Sequence, residues 1–182
     1  MKEEFSSVLV TEDDIRNRVR QMGVEISDFY CRLGAEELTV VAVLRGAVVF
    51  MSDLIRSIDL PMRIDFMSVS SYGDGAVSSG KVRILKDIGE DIRGKHVLIV
   101  EDIIDTGLTI ASLKEILKER EPRTLKICAF LNKPSRREVE LSIDFKGFDV
   151  PDEFLVGYGL DYAGYYRELP FVAVLDPKVY NP

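Results

Sequence analysis

Cysteine and histidine are scarce in this 182-residue chain, which has two cysteines and one histidine. Cys31 and Cys128 lie too far apart to suggest a disulfide framework. Their apolar flanks, Phe29-Tyr30 and Ile127 with Ala129-Phe130, read as those of buried thiols in a reducing compartment. A zinc site of the Cys/His kind is disfavoured, because no cysteine has a close partner. No apolar run approaches the roughly 20 residues of a membrane-spanning helix. The segment Met1-Lys2-Glu3-Glu4-Phe5-Ser6-Ser7 leads into no apolar stretch of the secretory kind. The expected location is therefore the cytoplasm, with no membrane partner. Repeats, Gly/Pro-rich linkers and blocks of like charge are also missing, which predicts one domain with at most a small accessory lobe. Basic residues are outnumbered, 24 Lys+Arg against 31 Asp+Glu, for a formal net charge of -7. That balance argues against general affinity for nucleic acid. It leaves open an anionic ligand held locally by backbone N–H groups or bound magnesium. Two familiar nucleotide motifs are absent: Gly-x-x-x-x-Gly-Lys-Ser/Thr, and Gly-x-Gly-x-x-Gly after a first strand.

What is present is an alternation of strand and helix patterns. Thr11-Glu12-Asp13-Asp14 reads as a capped helix start. Ile15, Val19, Met22, Ile26, Phe29 and Leu33 follow at helical spacing, and Gly34 ends the pattern. Leu38 to Leu44 is almost wholly apolar, as in a buried parallel strand. Arg45-Gly46 interrupts it before a helix over Ala47–Ile58. A strand is expected over Met62–Val69, then a mobile glycine-rich loop from Ser70 to Gly80 and an exposed strand over Lys81–Lys86. Val97–Val100 reads as a short buried strand, Leu108–Arg120 as a helix facing inward through Ile110, Leu113 and Leu117, and Leu125–Leu131 as another strand. Phe154–Tyr158 and Phe171–Leu175 are shorter strand candidates. The order implies an open α/β sheet whose ligands sit at the carboxyl ends of its strands.

The chemistry concentrates just after the Val97–Val100 strand. Glu101, Asp102 and Asp105 lie within five residues and lead through Thr106-Gly107-Leu108-Thr109 into a helix. A helix start offers backbone N–H groups to an anion, and threonine hydroxyls add donors. The carboxylates suit a metal ion or a polyol. One loop thus offers both halves of a sugar-phosphate site. The bland reading is an acidic surface turn with Thr106 or Thr109 as a helix cap.

Val97 through Thr109 resembles the signature of type I phosphoribosyltransferases and, in detail, the bacterial hypoxanthine-guanine phosphoribosyltransferase family. The similarity runs from about Leu38 to Leu175. The resemblance implies a mostly parallel central sheet flanked by helices, with a small hood: a core of about 35–145 and a hood drawn from about 1–14 and 146–182. It also implies transfer of the 5-phosphoribosyl group from phosphoribosyl pyrophosphate to hypoxanthine or guanine in purine salvage, with magnesium, giving IMP or GMP and pyrophosphate. Carried over residue by residue, Glu101 and Asp102 would meet the ribose hydroxyls and magnesium. Asp105 would be the catalytic residue at the proton of purine N7, and Asp105-Thr106-Gly107-Leu108-Thr109 would cradle the 5′-phosphate. Leu44-Arg45-Gly46 resembles the pyrophosphate loop, in which the family often has a non-proline cis peptide and many members have lysine where Arg45 stands. Ser71-Tyr72 resembles the pair on a closing lid. Lys133 resembles the lysine that donates to the purine 6-oxygen, Phe154 the ring that stacks on the purine, and Leu155 the backbone facing its pyrimidine edge. Asp161 would be a further magnesium ligand and Arg167 a pyrophosphate contact. The family assembles as homodimers or homotetramers.

Three other functions remain open on the residues alone. Xanthine could be the preferred base, since a lysine at the 6-oxygen does not decide the choice at purine C2. A regulator of the same fold that binds RNA or DNA would need a basic face, which the charge balance disfavours. A non-catalytic scaffold with an acidic phosphate pocket would leave the segments around Lys133 and Phe154 unexplained.

Overall fold

The computed structural model describes residues 4–71 and 82–181. The expected lid residue Tyr72 and the glycine-rich stretch after it lie outside the described residues, as does the side chain of Ser71.

Two sheets form. The larger has the order β4-β3-β2-β5-β6-β7, with β2 at Leu38–Leu44, β3 at Met62–Ser71, β4 at Val82–Lys86, β5 at His96–Ile104, β6 at Thr124–Asn132 and β7 at Phe145–Asp149. All its pairings are parallel except β3–β4. The smaller is antiparallel, in the order β1-β9-β8. It joins Phe5–Val10 (β1) to Val172–Leu175 (β9) and Leu155–Val156 (β8).

The large sheet is covered on both faces, which explains its near-continuous apolar strands. Val40, Ala42, Leu98, Val100, Cys128 and Phe130 pack in one cluster with Met22, Ile26, Phe50 and Leu54. These partners come from α1 (Glu12–Arg32) and α2 (Ala47–Ile55). The alternate residues Val41, Val43, Val97, Ile99, Ile127 and Ala129 pack in a second cluster with Ile110, Leu113 and Leu117 of α3 (Leu108–Lys118). Period-two alternation thus divides each strand between two cores. After β2 the chain first adds β3 on one side and later β5 on the other. The reversal opens a crevice at the carboxyl ends of β2 and β5.

The structure corrects several sequence expectations. Thr11 does cap α1, and Asp14 completes the reciprocal box. However, the buried stripe ends at Ile26 and Tyr30; Leu33 is exposed and Phe29 only partly buried. Cys31, expected to be buried, is exposed because it falls just past that stripe, whereas Cys128 is buried in β6. The helix after Gly46 stops at Ile55, and β8 shrinks to two residues. The strand expected to end at Val100 continues to Ile104, so Glu101 and Asp102 stand on a strand rather than in a loop.

His96, at the start of β5, is 6% exposed. Its Nδ1 lies 2.9 Å from Thr124 Oγ1, while Nε2 is shut from solvent without a hydrogen-bond partner. Burial, and secondarily the charge of Arg123, hold its pKa below the ordinary histidine value. Below a pH of about 6.5 the unfolded chain takes up a proton that the folded chain resists, so stability falls as pH drops from there toward the lowered folded value. Urea unfolding at about pH 7.5 and about pH 5.5 should show the wild type losing more stability than His96→Gln over that interval. Equal losses in the two proteins would reject the assignment.

Candidate active site

The crevice is built from strand ends. At the end of β2 the Leu44–Arg45 peptide is cis, as the resemblance implied. Gly46 is buried, and a Cβ on it would collide with the Asp102 carboxylate. Gly159, at φ +101°, presses on the Gly46 carbonyl from the other side, so a side chain there would also collide. Asp102, Gly46 and the Gly157–Leu160 turn therefore pack backbone to carboxylate. Arg45 is exposed, and its side chain lies outside both hollows described below.

Glu101 and Asp102 occupy successive positions on β5 and serve different hollows. Asp102 lines a cleft of about 460 Å³ together with Asp105, Lys133, Phe154, Leu155, Asp161 and Arg167. Glu101 lines a smaller hollow of about 120 Å³ with Thr106, Gly107 and Thr109. Asp105 and Ile103 form part of both walls. Burial, then the neighbouring charge of Asp102, pushes Glu101 well above the usual carboxylate range. Its Oε2 is shut from solvent with no hydrogen-bond partner. Burial also raises Asp102, against the pull of the Ile103 N–H, which donates to Oδ1 at 2.7 Å, and of Arg167.

The small hollow is the turn from β5 into α3. Gly107 caps α3 in the left-handed region, φ +87°, with no side-chain cap bond. The threonine caps of the bland reading are therefore not used, although the Leu108 N–H reaches Thr106 Oγ1 at 3.4 Å. This arrangement leaves the first-turn N–H groups facing outward from the helix start. Thr109 is exposed at the rim.

On the other wall, Lys133 is 7% exposed and donates from Nζ to the Glu153 carbonyl at 2.7 Å. Phe154 is 38% exposed; Tyr180 stacks on it at 5.0 Å between centroids and Tyr162 meets it edge-on at 5.6 Å. Leu155 is buried and pairs with Val174. Arg167 holds Asp161 in a 2.6 Å ion pair and donates to the Gly159 carbonyl at 2.5 Å. Asp161 Oδ2 also accepts the Gly164 N–H at 2.9 Å.

The sequence reading missed Arg136, Asp152 and Tyr180, which also line the cleft. Arg136 Nε sits 3.1 Å from Asp105 Oδ1 in an ion pair without hydrogen-bond alignment, and its Nη1 reaches Asp152 at 3.5 Å. These residues carry no motif: Arg136 comes from the turn at Pro134–Arg136, Tyr180 from the helix at Pro177–Tyr180, and Asp152 from the segment before Phe154.

Comparison with known proteins agrees in family and fold. The model of the phosphoribosyl transferase domain matches residues 13–163. A hypoxanthine phosphoribosyltransferase of Haemophilus influenzae is 50% identical over 172 residues, covering 94% of this chain and 96% of that protein. The hypoxanthine-guanine phosphoribosyltransferase of Bacillus subtilis is 46% identical, covering 100% of this chain and 99% of its own length. The crystal structure of a Staphylococcus aureus hypoxanthine phosphoribosyltransferase superposes with a TM-score of 0.95 at 44% identity, covering 100% of this chain and 97% of that one.

The packing at Gly46 is testable without a ligand. Gly46→Ala should push Asp102 aside and destabilise the fold by about 1–3 kcal/mol, the usual range for overpacking a tight site. Urea denaturation measures the loss; an unchanged midpoint would show that the crevice can relax.

Proposed function

The chain belongs to the hypoxanthine-guanine phosphoribosyltransferase family, and from that membership we propose that it transfers the 5-phosphoribosyl group from phosphoribosyl pyrophosphate to hypoxanthine or guanine. The products are IMP or GMP and pyrophosphate, and the role is purine salvage. The observation that carries the reading is Asp105, whose residue forms part of both the phosphate-loop hollow and the larger cleft with Lys133 and Phe154. An anomeric carbon held between a 5′-phosphate in one and a base in the other would stand beside it.

A bond forms between the purine imidazole nitrogen and C1′ as the bond from C1′ to pyrophosphate breaks, and the imidazole passes its proton to the Asp105 carboxylate. Positive charge develops on the ribose and negative charge on the leaving group. Arg167 faces that leaving group, with Gly46 and the exposed Arg45 at its other side. Thr106 through Thr109 hold the 5′-phosphate by N–H groups and hydroxyls. Lys133 has ammonium donors beyond the one used on Glu153; it favours a 6-oxo over a 6-amino purine. Phe154, already backed by Tyr180, offers its free side to the base, and the Leu155 backbone meets the pyrimidine edge. The expected closing pair, Ser71 and Tyr72, completes the family pattern and excludes water.

Magnesium belongs to the same reading. A solvent-shielded Glu101 oxygen without a partner, beside Asp102, suits a cation or ribose hydroxyls. No cluster of three or more metal-binding side chains is preformed among the described residues. Magnesium is commonly held by one or two carboxylates and completed by substrate oxygens. Asp161, as a further ligand, would exchange part of its contact with Arg167. Bound magnesium would neutralise the departing pyrophosphate.

We assign the donor site to a core of about 35–145 and the purine segment to a hood of about 1–14 and 146–182, in a cytoplasmic homodimer or homotetramer. Rates with hypoxanthine, guanine and xanthine separate the reading from a xanthine-preferring enzyme. Asp105→Ala should lower turnover by roughly 100-fold, within the range for proton-transfer groups, and weaken phosphoribosyl pyrophosphate binding far less. Unchanged turnover in steady-state kinetics would remove Asp105 from the chemistry. Chelation of divalent ions should abolish transfer and added magnesium restore it; full activity in excess chelator would exclude the metal role.

A further inference from the structure

Arg137 follows the cleft-lining Arg136 but takes a different course. Its side chain turns beneath the phosphate loop. Nη2 donates to Asn132 Oδ1 at the end of β6, and Asn132 in turn donates from Nδ2 to Asp149 at 2.6 Å. Nη1 is shut from solvent with no hydrogen-bond partner. It lies against Gly107: a Cβ at that glycine would meet Nη1 and Cδ of Arg137 before anything else. The following backbone is tied to the same turn, since the Glu138 N–H donates to the Thr106 carbonyl at 3.0 Å.

A guanidinium arm sealed from water and left unpaired is unfavourable unless a negative charge compensates it. Burial does work against its charge here, and Asp105 counters this only in part. The loop Asp105-Thr106-Gly107-Leu108-Thr109 contains no cation of its own, yet its helix start is where an anion would dock. Resting on the phosphoribosyl reading above, we propose that Arg137 is a positioning residue for the 5′-phosphate. It holds the Thr106-Gly107 turn against the end of β6 and places a fixed positive charge behind the backbone donors. Because Asn132 precedes Lys133, the same side chain couples the phosphate turn to the strand end that carries the base contact.

The test compares ribose 5-phosphate with magnesium pyrophosphate by calorimetry on wild type, Arg137→Gln and Arg137→Lys, with thermal melts alongside. Arg137→Gln should weaken ribose 5-phosphate by about tenfold or more and pyrophosphate by less than about twofold. Arg137→Lys keeps the charge but cannot span both contacts, so its loss should be intermediate. In steady-state assays the KM for phosphoribosyl pyrophosphate should rise while that for the purine holds. Equal weakening of both ligands would mark Arg137 as merely structural, and unchanged ribose 5-phosphate binding would also overturn the proposal. If Arg137→Gln does not fold, Arg137→Lys decides: selective loss of ribose 5-phosphate supports the proposal and anything else rejects it. Absence of transfer by the wild type with the purine panel would instead remove the enzymatic reading. Wild-type transfer with insensitive variants removes only the role of Arg137.

Discussion

Two adjacent carboxylates stand in the second half of a strand whose first five residues are buried. Ionised, Glu101 and Asp102 are unfavourable there, and the local architecture answers that problem. The Ile103 N–H and the charge of Arg167 draw on Asp102, Gly46 gives up a side chain so that the carboxylate fits, and one Glu101 oxygen has no partner at all. A site with such an unmet need selects ligands that bring hydroxyl donors or a cation. A ribose carrying pyrophosphate and magnesium meets that description.

The same strand sets the geometry of the reaction. Glu101 lines the phosphate hollow and its neighbour Asp102 the larger cleft. Asp105, just beyond the strand, forms part of both walls. The two hollows are rigidly related because β5 and β6 pair in register to Ile104 and Asn132, and the Lys133 N–H then donates to the Ile104 carbonyl at 2.9 Å. Base contact and phosphate turn hang from neighbouring strands of one sheet, which favours a fixed reacting distance over a searched one.

What could be read from the sequence follows from where the information is stored. Buried parallel strands announce themselves as apolar runs, so β2 and β6 were found nearly whole. β5 was cut short at Val100 because Glu101 and Asp102 interrupt its apolar run for the sake of the site rather than the core. β1 was missed: Phe5–Val10 has exposed positions through Leu9 and no alternation, and only pairing with β9 makes it a strand. Glu101, Asp102 and Asp105 stand out as an acidic cluster before a helix start, Lys133 and Phe154 by resemblance, and the fold brings all of them to the two hollows. Arg136, Arg137 and Tyr180 escaped because each acts across the fold on a partner distant in sequence, and an isolated arginine or tyrosine carries no local mark of that.

An acidic protein that binds a highly anionic donor must still attract it. The cations at the cleft mouth are already engaged: Arg167 with Asp161 at 2.6 Å, Arg136 with Asp105 and Asp152, Lys133 with Asp152 at 3.9 Å. Partly exposed pairs of this kind are each worth only about 0–1 kcal/mol. Substrate phosphates can therefore replace a carboxylate partner at little loss, while the pairs keep the cationic side chains ordered beforehand. In the proposed reading the released carboxylates would then be available to magnesium at Asp161 and to the purine at Asp105. On this view the ion pairs are the resting form of the binding contacts.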